Sequence, residues 1–503
     1  MHFLKHLISF CVFTILVGIA NPYGSSAVEE HELDAFRNLD ALDWDTGWVL
    51  TWGGNAVFDR AVDSACDSSG NIYTVGIFSV DVDFDPGPGT HTVTGDNSFF
   101  LSKFSPDGTF QWVRSWQGAD MNVEPRISIN GNNIFVTGWI SGSGIDIDPT
   151  ANVQIYDGYQ LNAFLVKFDS SGNFQWIKTW GGEWMATVND IATTTDGSIY
   201  LAGSFGGRAD LAPGEPESIY EATGRIDGYF CKLDSSAQIS WIHTFGGPGG
   251  SGIENDCAYG IRVIDGTVYV TGGYNGLVDF DFGDGRYFHE SNGLTDAFIA
   301  TYDTDGTYLW STSLGGSGDD YGMEVDTDGG GNIYCAGIFE NSVAFNTRYP
   351  NARTQAPNED STFISKYSPA GEYDWTVVLT NLLDYKSIDF EVDNAGNSYI
   401  CGRFRMEQSI LDEMPEDAKL DQGSFNVIFY HFDSGGIVTH CVPIEWYGPC
   451  VGKGMAIYGN NTFYLAGMFD HIVDFDPGAS WNEVDERQTS GNMDAFLFKF
   501  TLN

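Results

Sequence analysis

Residues 47–54 read GWVLTWGG, and residues 175–182 read QWIKTWGG. The second string closes a long unit of alternating apolar runs, whereas the first stands ahead of any such unit. A tail that precedes its own body is what results when a ring of similar units is opened inside one of them. Whether that applies here depends on what else repeats.

A strand-like string ending in glycine occurs seven times: NIYTVG to Gly76, NIFVTG to Gly138, SIYLAG to Gly203, TVYVTG to Gly272, NIYCAG to Gly337, NSYICG to Gly402 and TFYLAG to Gly467. A near-constant long period marks an array or a propeller. Each unit reads as four strands. Strand a is a short mixed run such as RAVDSAC (60–66), followed by an Asp/Asn/Gly turn. Strand b is the glycine-ended string. Strand c alternates, as in SFFLSKF (98–104). After a second turn such as SPDG, strand d carries a tryptophan: Trp112, Trp176, Trp241, Trp310 and Trp375. Such turns between alternating runs are hairpin signals. Four antiparallel strands per unit and seven units predict an all-β chain, a seven-bladed β-propeller over residues 44–503. The last unit stops after strand c, at Phe496–Asn503, so GWVLTWGG is read as its missing strand d. Trp48 then belongs to the C-terminal blade, the ring is closed, and no open sheet edge is left. The weak copy is GIVTHCVPI (436–444), a strand d without its Trp.

At GNIYTVGIFSVDVDFDPG (70–87) and AFLVKFDSSGNFQWIKTWGG (163–182) the chain resembles the SBBP-type β-propeller repeats of secreted bacterial proteins. The resemblance covers roughly residues 45–503, and SVAFNTRYP and SILDEMPED depart from it in repeats five and six. It implies the fold and secretion, and neither a reaction nor a ligand.

Residues 1–27 have the layout of a secretory signal peptide: Lys5, an apolar run from Ile8 to Ala20, a Pro/Gly break, and a small-residue cleavage site after Ala27. The run is shorter than a membrane span needs, so no transmembrane segment is expected. Residues 28–43 read as an acidic linker or short cap. The leader takes one of the eight cysteines, and the seven left are scattered; Cys441 and Cys450 are near enough in sequence to pair, and no zinc spacing occurs. The formal charge of −46 argues against nucleic acid and anionic lipid as partners.

Two sets of carboxylates are candidate sites. D-x-D strings follow strand b: Asp83 and Asp85, Asp146 and Asp148, Asp279 and Asp281, Asp474 and Asp476. Alternate residues of an extended chain point the same way, so each pair has the chemistry for calcium; the competing reading is turn formation, with Asp capping backbone amides. On strand a, counting back from the a–b turn glycine gives Asp63, Glu124, Asp190, Glu324 and Asp389, with Gly260 and Gly452 in the other two repeats. Facing one channel, these carboxylates demand a cation, raised pKa values or backbone partners. The recurrent strand-c lysines (Lys103, Lys167, Lys232, Lys366, Lys499) read as structural.

P-loops, HExxH strings and nucleophile elbows do not occur. The near-uniform repeats favour a secreted or cell-surface binding or scaffold module, monomeric, with an extracellular protein or glycan as partner and calcium as its one candidate cofactor. The alternatives are a sialidase-like glycoside hydrolase, for which SPDGTFQW (105–112) is a near match to an Asp-box, and a quinoprotein-like dehydrogenase. Arg60, Arg126 and Arg262 stand at unmatched heights on strand a, which speaks against a carboxylate-gripping arginine triad.

Overall fold

Strand b of each repeat is apolar on both faces, as in IYTVGIF (72–78), where all seven residues are buried. Such a run belongs in the middle of a sheet covered on both sides. In the computed structural model, which describes residues 44–502 except 56–57, 96, 121, 213–217, 248–255, 347–353, 380–387, 406–424, 447–449, 460 and 476–485, this is where it lies. In the first repeat, Arg60–Cys66, Ile72–Phe78, Ser98–Phe104 and Phe110–Gln117 pair antiparallel in chain order. All the strand elements of the described residues follow from the same four-strand unit or from extensions of its b–c hairpin. The expected leader and linker lie outside the described residues.

Cores form between repeats rather than within them. Val75, Phe99 and Leu101 of repeat 1 share a cluster with Val136, Phe164 and Val166 of repeat 2. Phe230 of repeat 3 packs with Val270 and Phe298 of repeat 4. Sheets stacked face to face around repeated units make the chain a repeat β-propeller. Each fully buried Phe or Leu in these seams stabilises by about 1.5–3 kcal/mol.

The N-terminal string pairs with the last strand, Glu486–Leu502, in register from Trp44 opposite Leu502 to Trp52 opposite Ala495. Trp52, Ala495 and Leu497 then enter one cluster with Ala61, Phe100 and Phe104 of repeat 1. Two contacts explain the recurrent glycine pair at the end of this string. A Cβ on Gly53 would stand 2.2 Å from the Asp494 carboxyl carbon, and one on Gly54 would stand 2.5 Å from the Asp81 carbonyl oxygen. The first glycine makes room for strand c of its own repeat, the second for the backbone of the next.

The tryptophans of strand d hold successive repeats together. Trp48 Nε1 donates to the Pro106 carbonyl at 3.2 Å, Trp241 to Thr304 at 3.0 Å, Trp310 to Pro369 at 3.2 Å and Trp375 to Ser434 at 3.4 Å. Each acceptor lies in the c–d turn of the following repeat. The turn glycine there has positive φ and faces the indole: a Cβ on Gly172 would be 2.9 Å from Trp112. Across the sheet, strand-c lysines sit opposite these tryptophans and reach the same turns: Lys499 Nζ to the Pro106 carbonyl at 2.8 Å and Lys366 Nζ to Ser434 at 3.0 Å. The structural role expected of these lysines is thus a bond to the neighbouring repeat's backbone.

Repeat 6 replaces both partners of that latch. His431 stands at the lysine position, directly opposite His440 at the tryptophan position. Their Nδ1 atoms are 3.0 Å apart, and Thr439 Oγ1 lies 2.7 Å from His431 Nδ1. The last strand, Glu486–Leu502, pairs with Trp44–Trp52 rather than with a strand that follows it in sequence.

Candidate functional site

Strand-a side chains from repeats distant in sequence meet on a common axis. Arg126 Nη2 of repeat 2 donates to Glu324 Oε1 of repeat 5 at 3.2 Å. Lys453 Nζ of repeat 7 donates to Glu124 Oε1 at 3.0 Å, and Arg262 Nη2 of repeat 4 to Glu391 Oε2 at 3.0 Å. Only side chains converging on a central channel make such pairs.

The arginines occupy three levels. Arg60 lies opposite Ile77, one residue beyond the strand-b glycine; Arg126 opposite Thr137, one before it; Arg262 opposite Tyr269, three before it. Steps of two residues separate the levels by about 7 Å. At the first, Arg60 bonds the Val123 carbonyl at 2.7 Å and Glu124 at 3.3 Å. At the third, Arg262 Nε meets Asp326 Oδ1 at 2.9 Å. Arg126 holds the middle level, where the charges of Glu324, Asp63, Asp389 and Asp190 outweigh burial and keep its pKa above the ordinary arginine value.

Pairing corrects the carboxylate ring read from the sequence. Opposite the residue before each strand-b glycine stand Asp63, Arg126, Asp190, Gly260, Glu324, Asp389 and Gly454. Glu124 lies two residues away from that level, and Gly454 takes the place assigned to Gly452. Counting from the turn glycine failed because repeat 2 has a two-residue turn between Asn130 and Asn133, repeat 7 a three-residue one, and several strands a carry a bulge. One arginine therefore sits in a ring otherwise acidic or empty of side chain.

The aspartates of the channel also stitch strands together. Asp63 Oδ2 accepts the Ile127 amide at 2.9 Å, Asp190 Oδ2 that of Ile261 at 2.7 Å and Asp326 Oδ2 that of Val392 at 2.8 Å; Asp389 Oδ2 accepts that of Met455. Each donor belongs to the next repeat. Seven carboxylates (Asp63, Glu124, Asp190, Glu324, Asp326, Asp389, Glu391) face four cations (Arg60, Arg126, Arg262, Lys453), so charge is left over. Burial pushes Asp63 up to about 7 against the pull of Arg126, and Glu391 up to about 8 against that of Arg262. Glu324 is raised well above its ordinary value by burial and the surrounding acids.

Six further buried aspartates lie at the seams and were missed in the sequence. Asp59, Asp256 and Asp320 each accept an amide from the glycine pair before them and another from the start of the b–c connection. Asp227, Asp296 and Asp494 begin strands c and accept amides from the turn ahead of them. Burial pushes Asp320 up to about 8. The recurrence of Asp before AFLFKF and AFIATY was the available signal.

These shifts set a pH dependence. A carboxyl raised in the folded state contributes stability that is complete below its unfolded pKa and is lost as pH rises through the folded value. For Asp63, Glu391 and Asp320 that window runs from about pH 4 to about pH 8. Thermal unfolding should therefore occur at a higher temperature at pH 5 than at pH 9, and the difference should persist in about 0.5 M NaCl, which screens surface charge and spares buried groups. A salt-abolished difference would assign it to surface repulsion.

The D-x-D strings lie in the b–c hairpins. Asp83 Oδ1 accepts the amides of Asp85 at 3.1 Å and His91 at 2.7 Å; Asp146 Oδ1 those of Asp148 and Gln154; Asp279 Oδ1 those of Asp281 and Tyr287. Asp85, Asp148 and Asp281 each cap the amide two residues on. The side chain of Asp474 and all of Asp476 lie outside the described residues. Among the described residues, no group of three or more His, Cys, Asp or Glu side chains is arranged to hold a metal. Cys450 is a buried free thiol, and the side chain of Cys441, its expected partner, lies outside the described residues.

With its channel ionically filled and its cores between repeats, the chain is a repeat β-propeller by architecture. It is similar to an uncharacterized WD repeat-containing protein, L264, of Acanthamoeba polyphaga mimivirus, at 20% identity over 84% of this chain and 36% of that protein. The chain thus spans about a third of the length of that relative. No protein-family model matches. Among solved structures, a chain of the mitotic checkpoint complex aligns over 96% of both chains at 8% identity with a TM-score of 0.40. A Synechocystis apocarotenoid oxygenase variant aligns over 88% of this chain and 94% of its own at 12% identity, with a TM-score of 0.38. No helix among the described residues is long and apolar enough to cross a membrane.

Proposed function

We propose that the protein is an exported binding or scaffold module, a seven-bladed propeller of the SBBP type closed by Trp44–Trp52, that holds an extracellular protein partner on its loop face and acts as a monomer. The observation that carries this reading is where the conspicuous charged groups direct their bonds. Channel acids and bases bond one another and the neighbouring strands, which makes the interior a brace and leaves the loop face for recognition. The WD-repeat relative supports a repeat propeller. Ring closure is supported by the pairing of Trp48 with Lys499 and by Trp48 reaching Pro106 of repeat 1. Export is supported by the leader-like residues 1–27. The test is panning of a random peptide library on phage against the whole mature chain; reproducible enrichment of related sequences is expected, and no enrichment would sink the binding role.

In this reading the D-x-D strings form turns, and calcium is not required. Melting curves in excess EDTA and in millimolar calcium should superimpose. A saturating rise of several degrees would instead make the hairpins cation sites, since a ligand at about 100 times its Kd adds about 2.7 kcal/mol.

A further inference from the structure

One sector breaks the repeat. Five b–c hairpins carry the first Asp of the acidic string, and the residue paired across from it is Thr92 in repeat 1, Ile155 in repeat 2, Ile219 in repeat 3, Phe288 in repeat 4 and Glu486 in repeat 7. Three consecutive repeats thus carry a large apolar residue where repeats 1 and 7 carry Thr92 and Glu486. Ile155 is 55% exposed, Ile219 48% and Phe288 53%. Val153, Leu277 and Leu294 of the same hairpins are exposed as well. Each hairpin is held to the end of the repeat before it: Gly182, ending repeat 2, bridges Ala209 in the hairpin of repeat 3, and Gly247, ending repeat 3, lies against the Asn275 backbone at the hairpin of repeat 4. None of these side chains belongs to a core cluster, and exposed apolar side chains gathered in consecutive repeats mark an interaction surface.

The charge around them selects the partner. Asp157, Glu221, Asp284 and Glu290 are exposed on the same hairpins. Of the cations on these hairpins, Arg208 and Arg286 are paired with Glu183 and Asp279, and Arg225 lies over the Trp184 ring. A second copy of this chain would bring the same negative charge to the contact, and nucleic acid or an anionic membrane would be repelled. We infer that the hairpin face of repeats 2–4 docks a cationic protein segment carrying aliphatic or aromatic side chains, with Ile155, Ile219 and Phe288 as its apolar contacts. This rests on the binding role proposed above and adds the surface and the chemistry of its partner.

The same panning experiment, run on the wild type at low salt, separates the two. Enriched peptides should be basic with interspersed apolar residues. A synthetic copy of the winning sequence should bind the Ile155→Ser/Ile219→Ser/Phe288→Ser variant at least about 10-fold more weakly, and should also lose about 10-fold in about 0.5 M NaCl. The three positions are exposed, so the variant should melt with the wild type. Peptides that are acidic, that ignore salt, or that bind the triple variant equally well would overturn the docking face while leaving a binding module in place. Failure to enrich any peptide would overturn both.

Discussion

Replacing Arg126 by Met should destabilise the protein by about 3–5 kcal/mol at pH 8, among the largest single effects available. Among the described residues the guanidinium is the one cation at the middle level of the channel, beside Glu324, Asp63, Asp389 and Asp190. Met fills much of the same volume, so the loss should come from charge rather than packing. Without Arg126 the buried carboxylates either ionise unpaired or take up protons. Acidification favours the second course, and the deficit should shrink at pH 5. Urea unfolding of the two proteins at both pH values measures it. Adding Glu324→Gln to Arg126→Met should recover part of the loss, because one fewer carboxylate then needs a counter-charge. An equal deficit at both pH values would show that Arg126 matters only as a space-filling side chain.

The strand pattern was legible because each repeat writes the same physics seven times. Apolar runs on strand b, alternation on strand c and Asp/Gly turns each have a local cause, and repetition averages out weak copies. The same logic failed for the channel. Facing residues there are set by pairing register, and a turn shorter by three residues in repeat 2 moved Glu124 off the level where Arg126 stands. Which charges meet across the axis, such as Arg126 with Glu324, depends on the whole ring and leaves no trace in local spacing. Arg126 was visible as an arginine at an unmatched height, and only the structure shows the acids that height serves. The seam aspartates were hidden differently: Asp59 and Asp320 sit in irregular connections, where sequence gives no burial signal. The apolar sector of repeats 2–4 was read from hairpin pairing, which sets Ile155, Ile219 and Phe288 opposite the first Asp of each acidic string; nothing in the local sequence marks that partner.

The second large effect is expected at Trp48. If each strand-d tryptophan holds the next repeat, Trp48→Ala should cost about 3 kcal/mol, at the low end of values for buried Trp because the ring is only partly covered. Trp48 bonds the Pro106 carbonyl, packs under the Gly108 turn and lies tilted against Tyr464, so its loss would part the last sheet from the first. His440→Ala is the matched control. It occupies the equivalent position in repeat 6, where it meets His431, and should cost less than about 1 kcal/mol. The difference follows from what each side chain reaches, since strand position and cross-strand pairing are the same in both. Unfolding midpoints of the two variants decide it. Comparable losses would mean that the position matters for packing within its own sheet and that the turn it reaches contributes little. A large loss at Trp48 alone would place the weight of that seam on the grip between an N-terminal strand and a turn in the first repeat.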